Sequence, residues 1–445
     1  MRSDWNIAKW GDIATLEYGK ALRGYENAVG PYRVFGTNGP IGWHSTALSQ
    51  GPSVVIGRKG AYRGVHYAAD PFCVIDTAFF LKAKQPFDMR WAYYQLLTQD
   101  INGMDSGSAI PSTSRDAFYQ LPVLLPPLED QKRIASILSA LDGKIELNRQ
   151  INQTLEQMAQ ALFQAWFVDF EPVKAKVAAL ADGRDPLRAA MSTLSGKTDA
   201  ELDELPGAAF DTLAATAELF PEEMEEAGEI PKGWEAATLG KYVTPSGVSV
   251  TAEDLKGDEA YFGLEHLPRR SIALDAWGQT AGLESGKRRF SQGTILFGKL
   301  RPYFHKVGVA PLDGVCSTDI LALQPKTPAW FGYALAHLSS DALIAFAERL
   351  SNGAKMPRVG WKDLENYPVV APGEQLAAKF NEHVKASVGA IRENIFQART
   401  LATLRDSLLP KLLSGELAVT PEGWEPKEQW SEGRAGEGRG IEILR

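Results

Sequence analysis

The sequence predicts an α+β protein: two similar α/β globules separated by two long helices that pair as an antiparallel coiled coil, with pseudo-twofold symmetry between the halves. Three observations predict it. A unit of about half the chain is written twice. Each copy changes once, from Gly- and Pro-rich to almost free of both. Two stretches of matched length carry a sustained apolar seam.

The repeat is ordered rather than close in identity. Trp10-Gly-Asp-Ile-Ala-Thr-Leu is matched by Trp234-Glu-Ala-Ala-Thr-Leu, and Ser53-Val-Val-Ile-Gly-Arg-Lys-Gly by Thr294-Ile-Leu-Phe-Gly-Lys-Leu-Arg. Cys73-Val-Ile-Asp-Thr-Ala is matched by Cys316-Ser-Thr-Asp-Ile-Leu, Gly107-Ser-Ala-Ile-Pro by Gly353-Ala-Lys-Met-Pro, and Leu121-Pro-Val-Leu-Leu-Pro by Tyr367-Pro-Val-Val-Ala-Pro. Five pairs in one order point to duplication. Short apolar runs between turn residues, such as Ser53 to Ile56 and Thr294 to Phe297, read as strands.

The first long helix is expected over 129–170. Ile134, Leu141, Leu155 and Leu162 keep a seven-residue register, and Asn148 fills the missing step. At 1.5 Å per residue it spans on the order of 50–60 Å, longer than one small domain covers. The second is expected over 373–415, with Leu376, Phe380, Val384, Val388, Ile391 and Ile395 in its stripe, Pro410 interrupting it and Gly415 ending it. Asn148 and Asn394, near the seams, either set register or face solvent. The remaining divisions are a first globule over 1–128, an acidic linker with one or two short helices over 171–232, a second globule over 233–372, and a flexible tail over 416–445.

Net charge is −8. From Thr198 to Pro231 there is no Lys or Arg but there are eleven acidic residues, so the rest of the chain is slightly basic. The only cysteines, Cys73 and Cys316, are too few for a disulfide framework and read as buried small apolar residues. No apolar run reaches the length of a membrane span and the start lacks an apolar signal core, so a cytoplasmic protein is expected.

Several strings resemble the specificity subunits of type I restriction–modification systems. They are Leu124-Leu-Pro-Pro-Leu-Glu-Asp-Gln-Lys-Arg-Ile-Ala, Ala161-Leu-Phe-Gln-Ala-Trp-Phe-Val-Asp-Phe-Glu-Pro-Val, Gly228-Glu-Ile-Pro-Lys-Gly-Trp-Glu and Leu408-Leu-Pro-Lys-Leu-Leu-Ser-Gly-Glu-Leu. The second junction, Val369-Val-Ala-Pro-Gly-Glu-Gln-Leu, departs from the pattern by lacking the double proline. The resemblance implies that each globule is a target-recognition domain reading one half of a bipartite, asymmetric sequence in double-stranded DNA. It also implies that the helices set the gap and dock two methyltransferase subunits, that two restriction subunits complete the enzyme, and that this chain is not catalytic. S-adenosylmethionine, ATP and magnesium are then expected only on the partners, with no cofactor or metal here.

Phosphate contacts need Lys and Arg; base contacts need Arg, Lys, Asn, Gln or Ser at groove edges. The first globule offers Arg58, Lys59, Tyr62 and Arg63 in one basic loop after a strand, with Arg23 and Arg115 as further candidates. The second offers Lys299, Arg301, Tyr303 and Lys306 at the matching place, with Arg269, Arg288, Lys355 and Arg358 adding charge. The Gly107-Ser108 and Gly353-Ala354 turns are candidates for presenting amides to phosphate, which adds Ser108.

Catalytic signatures are missing. Gly282-Leu-Glu-Ser-Gly-Lys287 is one residue short of a phosphate-binding loop and lacks the hydroxyl that ligates magnesium. Pro126-Pro127 lacks the flanking residues of an amino-methyltransferase motif. The six histidines form no ligand cluster. Two other readings stand beside DNA recognition: a coiled-coil scaffold whose globules bind proteins, and a nuclease with an unrecognised site.

Overall fold

The computed structural model describes residues 5–26, 28–104, 110–226, 230–351, 356–420 and 423–426. The chain divides into two compact units, 1–144 with 401–445 and 145–400. Two long helices, Leu128–Phe163 and Glu374–Leu413, each contribute one part to each unit.

Unit one contains strands β1 (Asn6–Lys9), β2 (Ala14–Tyr18), β3 (Tyr32–Gly36), β4 (Gly39–His44), β5 (Ser53–Gly57), β6 (Val65–Ala68), β7 (Phe72–Val74), β8 (Ala78–Ala83) and β9 (Pro122–Leu125). They form a sheet of order β2-β8-β5-β6, a second of order β4-β3-β7 and the pair β1-β9. Every residue of β5 is buried, which is why its sequence is an unbroken apolar run rather than an alternation. Trp10 stacks on Trp91 with centroids 6.3 Å apart and lies 5.9 Å from Phe118. Ile134 and Leu138 of the first long helix and Leu412 and Leu413 of the second close this core. Beside them Asp142 accepts from Arg405 Nη1 at 2.7 Å and from the Tyr94 hydroxyl at 2.6 Å.

Unit two contains β10 (Glu235–Thr238), β11 (Val243–Pro245), β12 (Val248–Val250), β13 (Ala260–Phe262), β14 (Gly278–Gln279), β15 (Lys287–Phe290), β16 (Ile295–Gly298), β17 (Val307–Val309), β18 (Gly314–Cys316), β19 (Ile320–Pro325) and β20 (Pro368–Ala371). Its sheets repeat the design of unit one. The order β11-β19-β16-β17 matches β2-β8-β5-β6, and the antiparallel pair β10-β20 matches β1-β9. The parallel pair β13-β18 matches β3-β7, inside a larger sheet of order β12-β15-β18-β13-β14. Cys73 stands opposite Val34 and Cys316 opposite Phe262 in these parallel pairs, both buried free thiols; burial pushes the Cys316 thiol up to about 12.

The two helices run antiparallel within each unit. In unit two Asn148 Nδ2 donates to Gln397 Oε1 at 2.7 Å and Asn394 Nδ2 to Asn152 Oδ1 at 2.9 Å. In unit one the contact is the Asp142–Arg405 pair. Asn148 and Asn394 therefore do not face each other; each takes a different amide across the seam. An amide removed from water needs such a partner, and only one stagger of the helices supplies both.

Three expectations are corrected. The first long helix ends its α-helical run at Phe163 rather than 170 and continues as a π-helical turn, Gln164–Val168, before a left-handed Phe170 at φ 54°. Wider winding lets Trp166, Phe167 and Phe170 all enter one core with Phe163, Trp234 and Phe380. The segment 171–232 is not a linker with one or two helices: it holds four, Glu171–Ala181, Pro186–Ser195, Asp199–Asp203 and Gly207–Glu218, around Ala190, Met191, Leu202 and Ala217. Three of its prolines start helices instead of breaking them. Pro172 and Pro186 stand in first turns, where no backbone N–H is lost, and Pro206 is an N-cap. Part of the tail is ordered, since Leu417–Thr420 pairs with Gly423–Pro426; 421–422 and 427–445 lie outside the described residues. Among the described residues no helix is long and apolar enough to cross a membrane.

His337, on the helix Phe331–Leu338, is buried in an aromatic box, 4.7 Å from the Phe163 ring, 4.4 Å from Tyr333 and 5.9 Å from Tyr367. Its Nε2 has no hydrogen-bond partner among the described residues, and desolvation pulls its pKa down to about 3. The unfolded chain takes up this proton near 6.5, while the folded chain refuses it. The neutral ring's stability is therefore present above 6.5 and is lost as pH falls from there toward 3, at about 1 kcal/mol per pH unit. Chemical denaturation of His337→Phe and the parent chain, in neutral and mildly acidic buffer, should show the variant losing less stability on acidification. Equal losses would place the acid sensitivity elsewhere.

Candidate nucleic-acid interface

One backbone pattern holds the loop that follows the central strand in each unit. In unit one Gly57 N donates to Gly64 O (2.8 Å), Arg58 N to Thr77 O (2.8 Å), Gly60 N to Pro111 O (3.0 Å) and Thr113 N to Arg58 O (2.9 Å). In unit two Gly298 N donates to Lys306 O (2.8 Å), Lys299 N to Asp319 O (2.8 Å), Arg301 N to Pro357 O (2.8 Å) and Val359 N to Lys299 O (3.1 Å). The bridges Lys59–Ser112 and Leu300–Arg358 complete the correspondence. The loop's first residue must be small: a Cβ on Gly57 would lie 2.7 Å from Arg63 Cα and 2.8 Å from Thr37 O. On Gly298 it would lie 3.2 Å from Lys306 Cβ.

In unit one the Thr37 hydroxyl lies 2.8 Å from the carbonyl oxygens of both Lys59 and Thr77, and Asn102 Oδ1 accepts from Arg63 N at 2.8 Å. Lys59 and Tyr62 are exposed, Tyr62 to 78%. Arg63 is turned inward, 3% exposed, with its guanidinium on the carbonyls of Gly60 (3.3 Å), Ile101 (3.3 Å) and Asn102 (2.6 Å). It is a strut under the loop rather than a surface cation. Arg58 and Arg115 both lie against Tyr18, with guanidinium carbons 4.9 and 5.0 Å from the ring centroid. Arg58 Nη1 donates to Asp76 O at 2.8 Å, and Arg115 Nη2 to the Tyr119 hydroxyl at 2.9 Å. Hydrogen bonds that Arg115 donates to the Tyr119 and Tyr18 hydroxyls raise its pKa. Tyr18, Arg58 and Arg115, with Lys59, Ser112 and Thr113, line a cleft of about 580 Å³. Arg23 is exposed on the connection between β2 and β3, outside this loop.

In unit two the loop is a short 3₁₀ turn, Pro302–Phe304, between left-handed Arg301 and His305, both at φ 50°. Arg269 stacks on Phe304 with its guanidinium carbon 4.0 Å from the centroid, and Arg301 lies 5.8 Å from the same ring. Tyr303 is 45% exposed. Arg358 pairs with Asp319 at 3.1 Å, and Lys299 stands between them in the hydrogen-bond pattern already described. Lys306 Nζ donates to Leu264 O, and partial burial lowers its pKa. Arg288 lies on β15 with Nη1 near Ser246 O (3.3 Å) and Gly247 O (3.2 Å). Ser108 and Lys355 lie outside the described residues.

The structure thus gathers Arg58, Lys59, Tyr62 and Arg115 at one loop, and Arg269, Lys299, Arg301, Tyr303, Lys306 and Arg358 at its counterpart. Sequence reading missed Tyr18 and Tyr119, the rings that hold arginines, and Thr37, which ties the loop. The one available signal for Tyr18 was an aromatic ending an otherwise regular strand, which is common in any sheet.

Residues 2–157 match the family described as the type I restriction modification DNA specificity domain. The HindI specificity subunit of Haemophilus influenzae is 29% identical over 368 residues, covering 73% of this chain and 74% of that one. The EcoDI specificity subunit of Escherichia coli is 23% identical over 437 residues, covering 94% and 89%. The type I restriction–modification S subunit from M. genitalium shares the fold, with a TM-score of 0.53 at 16% identity over 92% of this chain and 96% of that one. Over residues 2–157 the chain thus matches the DNA specificity domain of type I restriction–modification systems, and over most of its length it is similar to their specificity subunits.

Proposed function

We propose that this chain selects the DNA target of a type I restriction–modification complex, each unit reading one half of a bipartite, asymmetric sequence. The observation that carries the reading is the recurrence of one hydrogen-bonded loop in both units, with lysine and arginine at its tip each time. Rigid backbone with cationic side chains is what register on a duplex requires, because phosphate contacts fix position while base edges supply sequence. The side chains of the two loops differ, so the half-sites differ. This reading assigns the long helices to spacing and to docking two methyltransferase subunits, with two restriction subunits completing the assembly. Methyl transfer and cleavage, with S-adenosylmethionine, ATP and magnesium, belong in it to those partners, and this chain is not catalytic.

The test is genome-wide detection of modified bases in the host with this gene intact and deleted. An asymmetric split motif methylated only when the gene is present supports the reading; an unchanged methylation pattern in a host that expresses the chain overturns it.

Three substitutions separate surface contact from scaffolding. Lys59→Ala and Lys299→Ala should each weaken binding about equally across sequences and lower the slope of affinity against salt by about one phosphate. Unchanged slopes at both positions would remove the loops from the interface. Arg63→Ala should act on folding instead, costing about 2–3 kcal/mol in chemical denaturation because three carbonyls lose a charged donor. A stability loss below about 1 kcal/mol would show that the strut is dispensable.

A further inference from the structure

The backbone match lets the two units be compared residue by residue. Gly57 pairs with Ala78 as Gly298 pairs with Ile320, so Phe79, the partner of Tyr18, corresponds to Leu321. Pro245 pairs with Leu323 and Ser246 N bonds to Ala322 O, which puts Gly247 at the position of Tyr18. Gly247 has φ +85°, and a Cβ there would lie 2.5 Å from Arg289 O. No tyrosine could stand at that position without moving the backbone. Arg58 corresponds to Lys299 through the shared bonds to Thr77 and Asp319. Arg115 and Trp361 are the first residues of corresponding helices, Arg115–Gln120 and Trp361–Leu364. Tyr119 and Glu365 correspond because each lies against a glycine of the opening segment, Gly11 or Gly240, with built Cβ distances of 2.8 Å in both cases.

The arrangement of two guanidiniums on one tyrosine is therefore peculiar to unit one. Holding two like charges near one ring is costly unless the ring's face and fixed acceptors stabilise them. Here Tyr18 supplies the face, while Asp76 O and the Tyr119 hydroxyl supply the acceptors. The result is a pair of guanidiniums whose planes are set before any ligand arrives. A phosphate can be met by a point charge from any direction, as by Lys299 at the same place in unit two, as well as by a guanidinium fork. Fixed planes matter for a base edge with two acceptors at matched spacing, and in the major groove that edge is guanine O6 and N7. Arg58 uses Nη1 on Asp76, which leaves its Nε–Nη2 edge for such a pair; Arg115, with Nε and Nη2 on Tyr119 and a further bond to the Tyr18 hydroxyl, stands beside it as a fixed charge.

Resting on the DNA-reading role proposed above, we infer that the Tyr18–Arg58–Arg115 cleft recognises guanine in the half-site read by unit one, with Tyr18 as the positioning residue. Unit two, with Gly247, Lys299 and Trp361 in these places, has no such reader.

The test uses the complex purified from the host through a tag on this full-length chain, and duplexes carrying the methylated motif. Each guanine of one half-site, then of the other, is replaced by the analogue lacking the N7 acceptor. The parent complex should lose roughly 10- to 100-fold in affinity at one guanine of one half-site. Arg115→Lys and Tyr18→Ala should abolish that discrimination, the ratio of affinities for the normal and the substituted duplex falling to about one. Tyr18→Phe, which keeps the ring face but loses the hydroxyl that accepts from Arg115, should retain part of it. The inference is overturned if no guanine analogue weakens the parent, if the variants weaken all duplexes equally, or if Tyr18→Phe behaves as Tyr18→Ala. Parent complex that prefers no duplex over any other would instead overturn the DNA-reading role itself, and this inference with it.

Discussion

A loop that leaves a buried strand carries backbone donors and acceptors that must be paired, and here the pairing is the constraint on which the binding surface depends. Gly57 and Gly298 end strands with no exposed residue, and the chain turns there against a second segment rather than into solvent. Two backbone hydrogen bonds in each unit clasp the turn to that segment, one closes the loop on itself and one ties it to the residue before the neighbouring strand. A loop held this way loses little entropy on meeting a ligand, which is what a reader of base edges requires. The glycine is obligatory for the same reason: any side chain at Gly57 would occupy the space taken by Arg63 and Thr37.

The helices meet a different requirement. An apolar seam alone tolerates sliding by one turn, since Leu and Ile fit many holes. The amide contacts Asn148–Gln397 and Asn152–Asn394, and in unit one the Asp142–Arg405 ion pair, remove that freedom because a slipped register would strand buried polar groups. These contacts trade some stability for a defined stagger.

Much of this was legible in the sequence. The duplication showed because strand-ending glycines and flanking apolar runs are fixed by backbone geometry and survive divergence at Gly57 and Gly298 alike. The helices showed because a seven-residue seam leaves a periodic record. The 171–232 segment did not, since Pro172, Pro186 and Pro206 read as breakers whether they interrupt a chain or start helices, and only packing around Met191 and Leu202 decides which. Arg63 was legible as charge but not as a strut, because burial is a property of the fold and not of the residue. Tyr18 carried only the pattern of an aromatic ending a strand; its role emerges from two arginines distant in sequence, Arg58 and Arg115, converging on its ring.

That contrast between backbone and side chain explains how one design serves two targets. The hydrogen bonds that clasp the loop are made by backbone N–H and C=O groups, so they persist whatever the side chains become. Tyr18 can be a glycine, Arg58 a lysine and Arg115 a tryptophan at the corresponding places without loss of a single bond in the clasp. Stability and specificity are thus carried by different atoms of the same residues. Substitutions at the loop tip change what is read and leave the fold intact, whereas a change at Gly57, Thr37 or Arg63 disturbs the support common to every contact the loop makes.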